Sequence, residues 1–160
     1  MTKICHITTM HQPFDTRIFK KECVSLVNNG FDVTLIAPHD KEEIRQGVKI
    51  IPIRSRTSFI DRIYHLPKLA IEILEKVSAD IYHFHDPELV PFMQQVAKSG
   101  KKVIWDAHEN YKDTIKSFNS LKIKPLSFLG SEFFNWMDSY GKHTLKLIYL
   151  LLIKVFLRIR

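Results

Sequence analysis

Glycine and cysteine are scarce in this sequence: five and two in 160 residues, with seven prolines. That excludes a collagen-like chain and a disulfide scaffold. Cys5 and Cys23 form no C-x-x-C pair and read as small core residues. Neither G-x-G-x-x-G nor G-x-x-x-x-G-K-[ST] occurs, and the loop Thr9 to Asp15 contains no glycine at all. A dinucleotide or ATP site built on a glycine-rich loop is therefore not expected. G-x-S-x-G, the nucleophile elbow of many hydrolases, is also missing. The longest apolar run, Leu147 to Ile153, is far short of the about 20 residues of a membrane span. Met1-Thr-Lys leads straight into Ile4-Cys-His-Ile7 without a leader-like pattern, so the expected location is cytoplasmic.

What is present is ordinary for a folded domain: 45% hydrophobic and 26% charged residues, which excludes disorder as the main state. The length suits one domain or slightly more. The net charge of +7 is uneven. Before position 142 there are 19 basic against 17 acidic residues; the last 19 residues carry five basic and no acidic ones. The excess is thus mostly tail. No dense basic stripe with interleaved aromatics precedes it, so no nucleic-acid partner is expected.

Lys3 to Thr8 is a short apolar run with the character of a buried strand. Thr16 to Asn29 has helical spacing, with Asp15 or Thr16 to cap it and Gly30 to end it. Asp32 to Ala37 and Val48 to Ile53 read as further strands, with Pro38 to Gln46 as a polar loop between them. Phe59 to Ala79 reads as helix, regular from about Leu66 or Pro67, because proline is tolerated in a first turn. Ala79 to His83 is a fourth strand, Pro87 to Lys98 a helix and Lys102 to Ala107 a fifth strand. This alternation implies an α/β, Rossmann-like, mostly parallel sheet with helices on both faces.

Such sheets bind ligands beyond the carboxyl ends of their strands. That rule selects His11, Asp15, Arg17, His85, Asp86, Glu88, His108, Glu109 and Asn110. His108 directly follows a buried strand, where an imidazole can exchange hydrogen bonds with a hydroxyl near neutral pH. Its plain alternative is a loop histidine bonded to backbone. Asp86, taken alone, reads as a helix cap. Arg17 would pair with Asp15 or hold a phosphate or sugar. His83, His85, Asp86 and His108 together suggest a metal-dependent hydrolase, but the spacing lacks a second tight ligand pair. The plainer expectation puts His83 inside the sheet, hydrogen-bonded.

Several blocks together carry a family resemblance. Ile4-Cys-His-Ile-Thr, Phe14-Asp-Thr-Arg-Ile-Phe-Lys-Lys-Glu-Cys-Val-Ser-Leu, Gly30-Phe-Asp-Val-Thr-Leu-Ile-Ala-Pro, Asp80-Ile-Tyr-His-Phe-His-Asp-Pro-Glu-Leu and Lys102-Val-Ile-Trp-Asp-Ala-His-Glu-Asn resemble, in order, the start of a family 4 glycosyltransferase. The resemblance implies the first half of a GT-B enzyme: two Rossmann-like domains facing a cleft, the first shaping the acceptor side. It implies a retaining transfer from a nucleotide-sugar donor to a glycan or lipid-linked acceptor, in surface-polysaccharide assembly. No metal or other cofactor is expected. By position His108 would meet the transferred sugar. Asp86, Glu88, Glu109 and His85 would line the cleft, and Asp15 and Arg17 would shape the first loop. The first loop departs from the Gly-Gly of many relatives.

The resemblance assigns residues 1–142 to the amino-terminal domain and leaves 143–160 as an apolar, basic tail. The donor-binding half has no match in this sequence. An altered reading frame near Lys142 is the first expectation for the tail, and a peripheral contact with anionic lipid the second. The alternative to a catalytic chain is a non-catalytic acceptor-binding module serving a separate donor-binding subunit.

Overall fold

The computed structural model describes residues 1–106. His108, Glu109, the boundary at 142 and the tail 143–160 lie outside the described residues. Six strands form one sheet: β1 (Lys3–Ile7), β2 (Asp32–Pro38), β3 (Glu43–Arg45), β4 (Val48–Ile53), β5 (Ile81–Phe84) and β6 (Lys102–Trp105), in the order β3-β4-β2-β1-β5-β6. Every pairing is parallel except β3 with β4. The strands are rich in Ile and Val because the sheet is covered on both faces.

Helix α1 is π-helical over Thr16–Cys23 and α-helical over Val24–Asn28. The carboxylate of Asp15 caps it, accepting from the amides of Arg17 (2.8 Å) and Ile18 (2.9 Å). Gly30, at φ +83°, closes it in the left-handed region, as expected. Ile18, Phe19 and Cys23 pack on Val33, Leu35, Ala37, Val48 and Ile50, one face of the sheet. Helix α2 is π-helical over Asp61–His65 and α-helical over Leu66–Leu74, with Pro67 in the first turn of its regular part. Helix α3 begins as a 3-10 turn (Pro87–Leu89) and continues as α-helix (Val90–Lys98). Ile73 of α2 lies beside Thr34 and Ile51, the sheet face opposite to that of Leu35. Helices thus cover both faces, and the fold is α/β Rossmann-like.

Two expectations change. The segment Pro38 to Gln46 is not only loop: Glu43–Arg45 forms β3, an antiparallel edge strand. The hairpin turns at Gln46 (φ 51°) and Gly47 (φ +80°), a two-residue turn with both φ positive. The fourth parallel strand runs over Ile81–Phe84, shifted from Ala79–His83.

Candidate functional site

The chain leaves β1 toward β2 on one side and returns through α2 to β5 on the other. β1 and β5 are neighbours, so the strand order reverses between them. Sheets of this kind hold ligands at the carboxyl ends beside that reversal. Thr8 and Thr9 follow β1 there, and His85 and Asp86 follow β5.

Asp86 ties the two loops together. One carboxylate oxygen, Oδ2, accepts from Thr8 Oγ1 (2.8 Å) and the Thr9 amide (2.7 Å). Thr8 Oγ1 in turn accepts from the His11 amide (3.0 Å), and His11 Nε2 stands 3.6 Å from Asp86 Oδ1. Asp86 is therefore not the helix cap expected of it: its side chain makes no cap hydrogen bond. Its backbone is extended (φ −99°, ψ 137°), and the charge goes to the amide across the switch point instead. Thr8 and Thr9 were not among the expected site residues. Two adjacent hydroxyl residues directly after an apolar strand were the available signal.

Glu88 is buried on the same edge. Arg62 of α2 donates from Nε to Oε1 (2.9 Å) and from a terminal nitrogen to Oε2 (3.3 Å), and Thr9 Oγ1 lies 3.4 Å from Oε1. Burial raises the Glu88 carboxyl above its ordinary range, and the Asp86 charge adds to this; Arg62 opposes both.

On the α1 face, Arg17 bonds the carboxylate of Asp106 and stands 3.4 Å, Nε to Oε1, from Glu22. Winding explains that second contact. At about 100° per residue, residues five apart on an α-helix sit roughly 140° apart, whereas i→i+5 winding brings them to one side. Asp106 also faces His85 Nδ1 at 3.3 Å. Arg17 does not pair with the Asp15 carboxylate in place of these partners; Asp15 takes the α1 amides.

Beneath this rim lie three imidazoles. His6 and His83 are register partners on β1 and β5, and His85 is two residues beyond His83 on the same side. Ring centroids are 4.5 Å apart for His6–His83, 4.7 Å for His83–His85 and 5.4 Å for His6–His85. Burial pushes His6 down to about 3 and His83 well below its ordinary value, so both rings are neutral. Burial pushes Glu22, which faces them, up to about 7 against the pull of Arg17. His83 is only half-buried, short of the fully interior place expected of it, and its buried Nε2 has no hydrogen-bond partner among the described residues. The hydrolase grouping does not form among the described residues. His83 and His85 converge with His6 and Glu22, while Asp86 turns to the first loop.

A cavity of about 660 Å³ lies elsewhere, lined by Lys3, Asp32, Lys49, Ile73 and Lys76. Lys3 and Asp32 begin β1 and β2, so it sits toward the amino ends, away from the switch point. The carboxyl edge is the candidate site. It offers partly exposed His11, Arg17, Arg62 and Asp106 over buried Asp86 and Glu88, a polar rim suited to hydroxyl-bearing ligands.

Among the described residues, no helix is long and apolar enough to cross a membrane. No curated protein matches this chain. Among solved structures, a sucrose-phosphate synthase from Thermosynechococcus elongatus is similar, with a TM-score of 0.57 at 14% identity. The match covers 72% of this chain and 35% of that one, so this chain spans about a third of its neighbour's length. The neighbour is a GT-B enzyme, and the likeness bears on the fold. The family model for Glycosyltransferase Family 4 matches residues 16–145. With that match over most of the sequence, on a sheet whose strand order produces the switch point described, this chain belongs to glycosyltransferase family 4.

Proposed function

We propose that this chain supplies the acceptor side of a retaining glycosyltransferase, which moves a sugar from a nucleotide-sugar to a glycan or lipid-linked acceptor in surface-polysaccharide assembly. One observation carries the acceptor-side assignment. Backbone amides at a strand end and helix N-terminus are the usual phosphate cradle. Here they are satisfied internally: Thr9 by Asp86, Met10 and His11 by Thr8, Arg17 and Ile18 by Asp15. The donor diphosphate is then met by a second domain or a separate subunit. A lipid-linked acceptor suits the start of α2, where Phe59, Ile60 and Tyr64 are exposed beside Arg56.

In this reading His108 meets the transferred sugar and Glu109 orients hydroxyls beside it. Asp86 and Glu88 are buried and act as positioning residues, holding the first loop and Arg62. Asp15 shapes that loop from its far end. Arg17 stands with Asp106 at the rim, and His85, fully buried, supports Asp106 from beneath. The rate comes from alignment and fixed hydrogen bonds.

The test is saturation-transfer NMR of the chain with short lipid-linked glycans, alongside nucleotide-sugars and an assay for nucleotide release. Acceptor glycans are expected to bind, and His11→Ala to weaken them at least tenfold. A folded chain that binds nucleotide-sugar but no acceptor would overturn the assignment. Acceptor binding without nucleotide release from any donor would favour a non-catalytic acceptor module over a complete enzyme.

A further inference from the structure

The histidines beneath the rim, two fully buried and His83 half-buried, are arranged as ligands. His6 Nδ1 and His85 Nε2 are 3.1 Å apart. Glu22 Oε2 stands 3.8 Å from the first and 3.7 Å from the second. One nitrogen of His83 completes a group of four donor atoms that all lie within 4.8 Å of one another. A tetrahedral ion with ligands at about 2.0–2.1 Å has donor–donor edges of roughly 3.3–3.4 Å. The three edges of 3.1, 3.7 and 3.8 Å bracket that figure, so these atoms form one face of such a tetrahedron.

Two further observations point the same way. Glu22 Oε2, the oxygen that faces both imidazoles, has no hydrogen-bond partner among the described residues, nor has the buried His83 Nε2. An unsatisfied carboxylate oxygen beside histidine nitrogens is costly unless something else fills the gap. The outer contact of His85 also has the form that metal-bound histidine takes, whereas the buried Nε2 of His6 has no hydrogen-bond partner among the described residues. With Nε2 turned inward, His85 presents Nδ1 to Asp106 (3.3 Å); Asp106 is bonded by Arg17, and Arg17 reaches the other oxygen of Glu22.

We propose that His6, His83, His85 and Glu22 form a closed, four-ligand site for a zinc-class divalent cation, pinning α1 to the β1–β5 seam. Three imidazoles and one carboxylate suit zinc in tetrahedral geometry. With all four positions filled by protein the ion activates no water, so the role is structural. It holds the π-helical turn of α1, which carries Arg17 and Glu22, against the two strands whose ends make the candidate site. The inference rests on side-chain geometry alone and stands apart from the glycosyltransferase reading.

The test strips the full chain with a chelator and adds Zn²⁺ or Co²⁺. One ion per chain is expected, with the visible spectrum of tetrahedral Co²⁺ and a raised Tm. X-ray absorption of the Zn²⁺-loaded wild type should show three imidazole nitrogens and one oxygen, a readout independent of any variant. Glu22→Gln and the double variant His6→Gln/His85→Gln should each lose affinity at least a hundredfold. Asp106→Asn should lose about 10–100-fold through the outer contact. His39→Gln and His65→Gln should bind as wild type. The proposal is overturned if the folded wild type takes up no ion, if fewer than three imidazoles surround it, or if the double variant binds normally.

Discussion

At the scale of single residues, Glu88 shows how burial and charge oppose each other. It is 1% exposed, and burial together with Asp86 raises its carboxyl, with Arg62 countering. The sign follows from linkage. Between the ordinary glutamate value of about 4.3 and the raised folded value, the native state holds a proton that the unfolded chain has released. At this site stability therefore falls as pH rises through that window. Arg62→Ala would remove the countering cation and leave a buried charge, a loss of about 3–5 kcal/mol at neutral pH. Part of that loss should be recovered on acidification, and Glu88→Gln in the same background should flatten the pH dependence. Urea unfolding at several pH values measures both. An Arg62→Ala loss that is equal at every pH would mean that packing, rather than the buried carboxylate, explains it.

Elements succeed or fail here on a few backbone positions. The β3–β4 hairpin turns through Gln46 and Gly47, and a Cβ on Gly47 would stand 2.6 Å from Val27 Cγ1 of α1. Gly30, which closes α1, has a similar φ of +83° but nothing within 4 Å of a Cβ. The two glycines therefore separate strain from crowding. Gly30→Ala should cost about 1–2 kcal/mol, from backbone conformation alone. Gly47→Ala should cost about 1–3 kcal/mol more, because Val27 must move within a packed layer. Denaturant midpoints of the two variants give the comparison. Equal losses would mean that the hairpin tip lifts freely away from α1. The winding of α1 is the other decisive feature at this scale. It puts Arg17 and Glu22 on one side, where an α-helix would part them.

At the scale of the whole described domain, helices lie on both faces of the parallel sheet. Cys5 in β1 and Cys23 in α1 are both 0% exposed, and burial pushes the Cys5 thiol up to about 12. Neither can meet a reagent while the described domain stays closed. A thiol reagent should label neither residue in native buffer, and both should react together through the unfolding transition. Mass spectrometry after quenched labelling tests this. Early reaction of Cys23 alone, with circular dichroism still native, would show that α1 detaches as a separate unit.

Much of this architecture was legible in the sequence. Apolar runs such as Lys3 to Thr8 and Val48 to Ile53, short and rich in isoleucine, read as strands, and both are. Asp15, Gly30, Pro67 and Pro87 mark helix ends through hydrogen bonding and φ preferences that act within a few residues. The alternation of strand and helix, and the chemistry gathered at strand ends, follow from the same local rules. Other features were not legible. The edge strand Glu43–Arg45 is short and polar, and only pairing with β4 makes it a strand. Asp86 looked like a cap because a cap is the local option; the Thr9 amide that takes its charge is 77 residues away in sequence. His6 and Glu22 carry no signal alone, and meet His83 and His85 only through the register of β1 with β5 and the π winding of α1. Sequence by itself determined the elements and the edge of the sheet where chemistry gathers, because those depend on neighbours along the chain. Tertiary structure alone decided which charges pair and which imidazoles converge, because those contacts depend on strand register and helix winding between residues far apart in sequence.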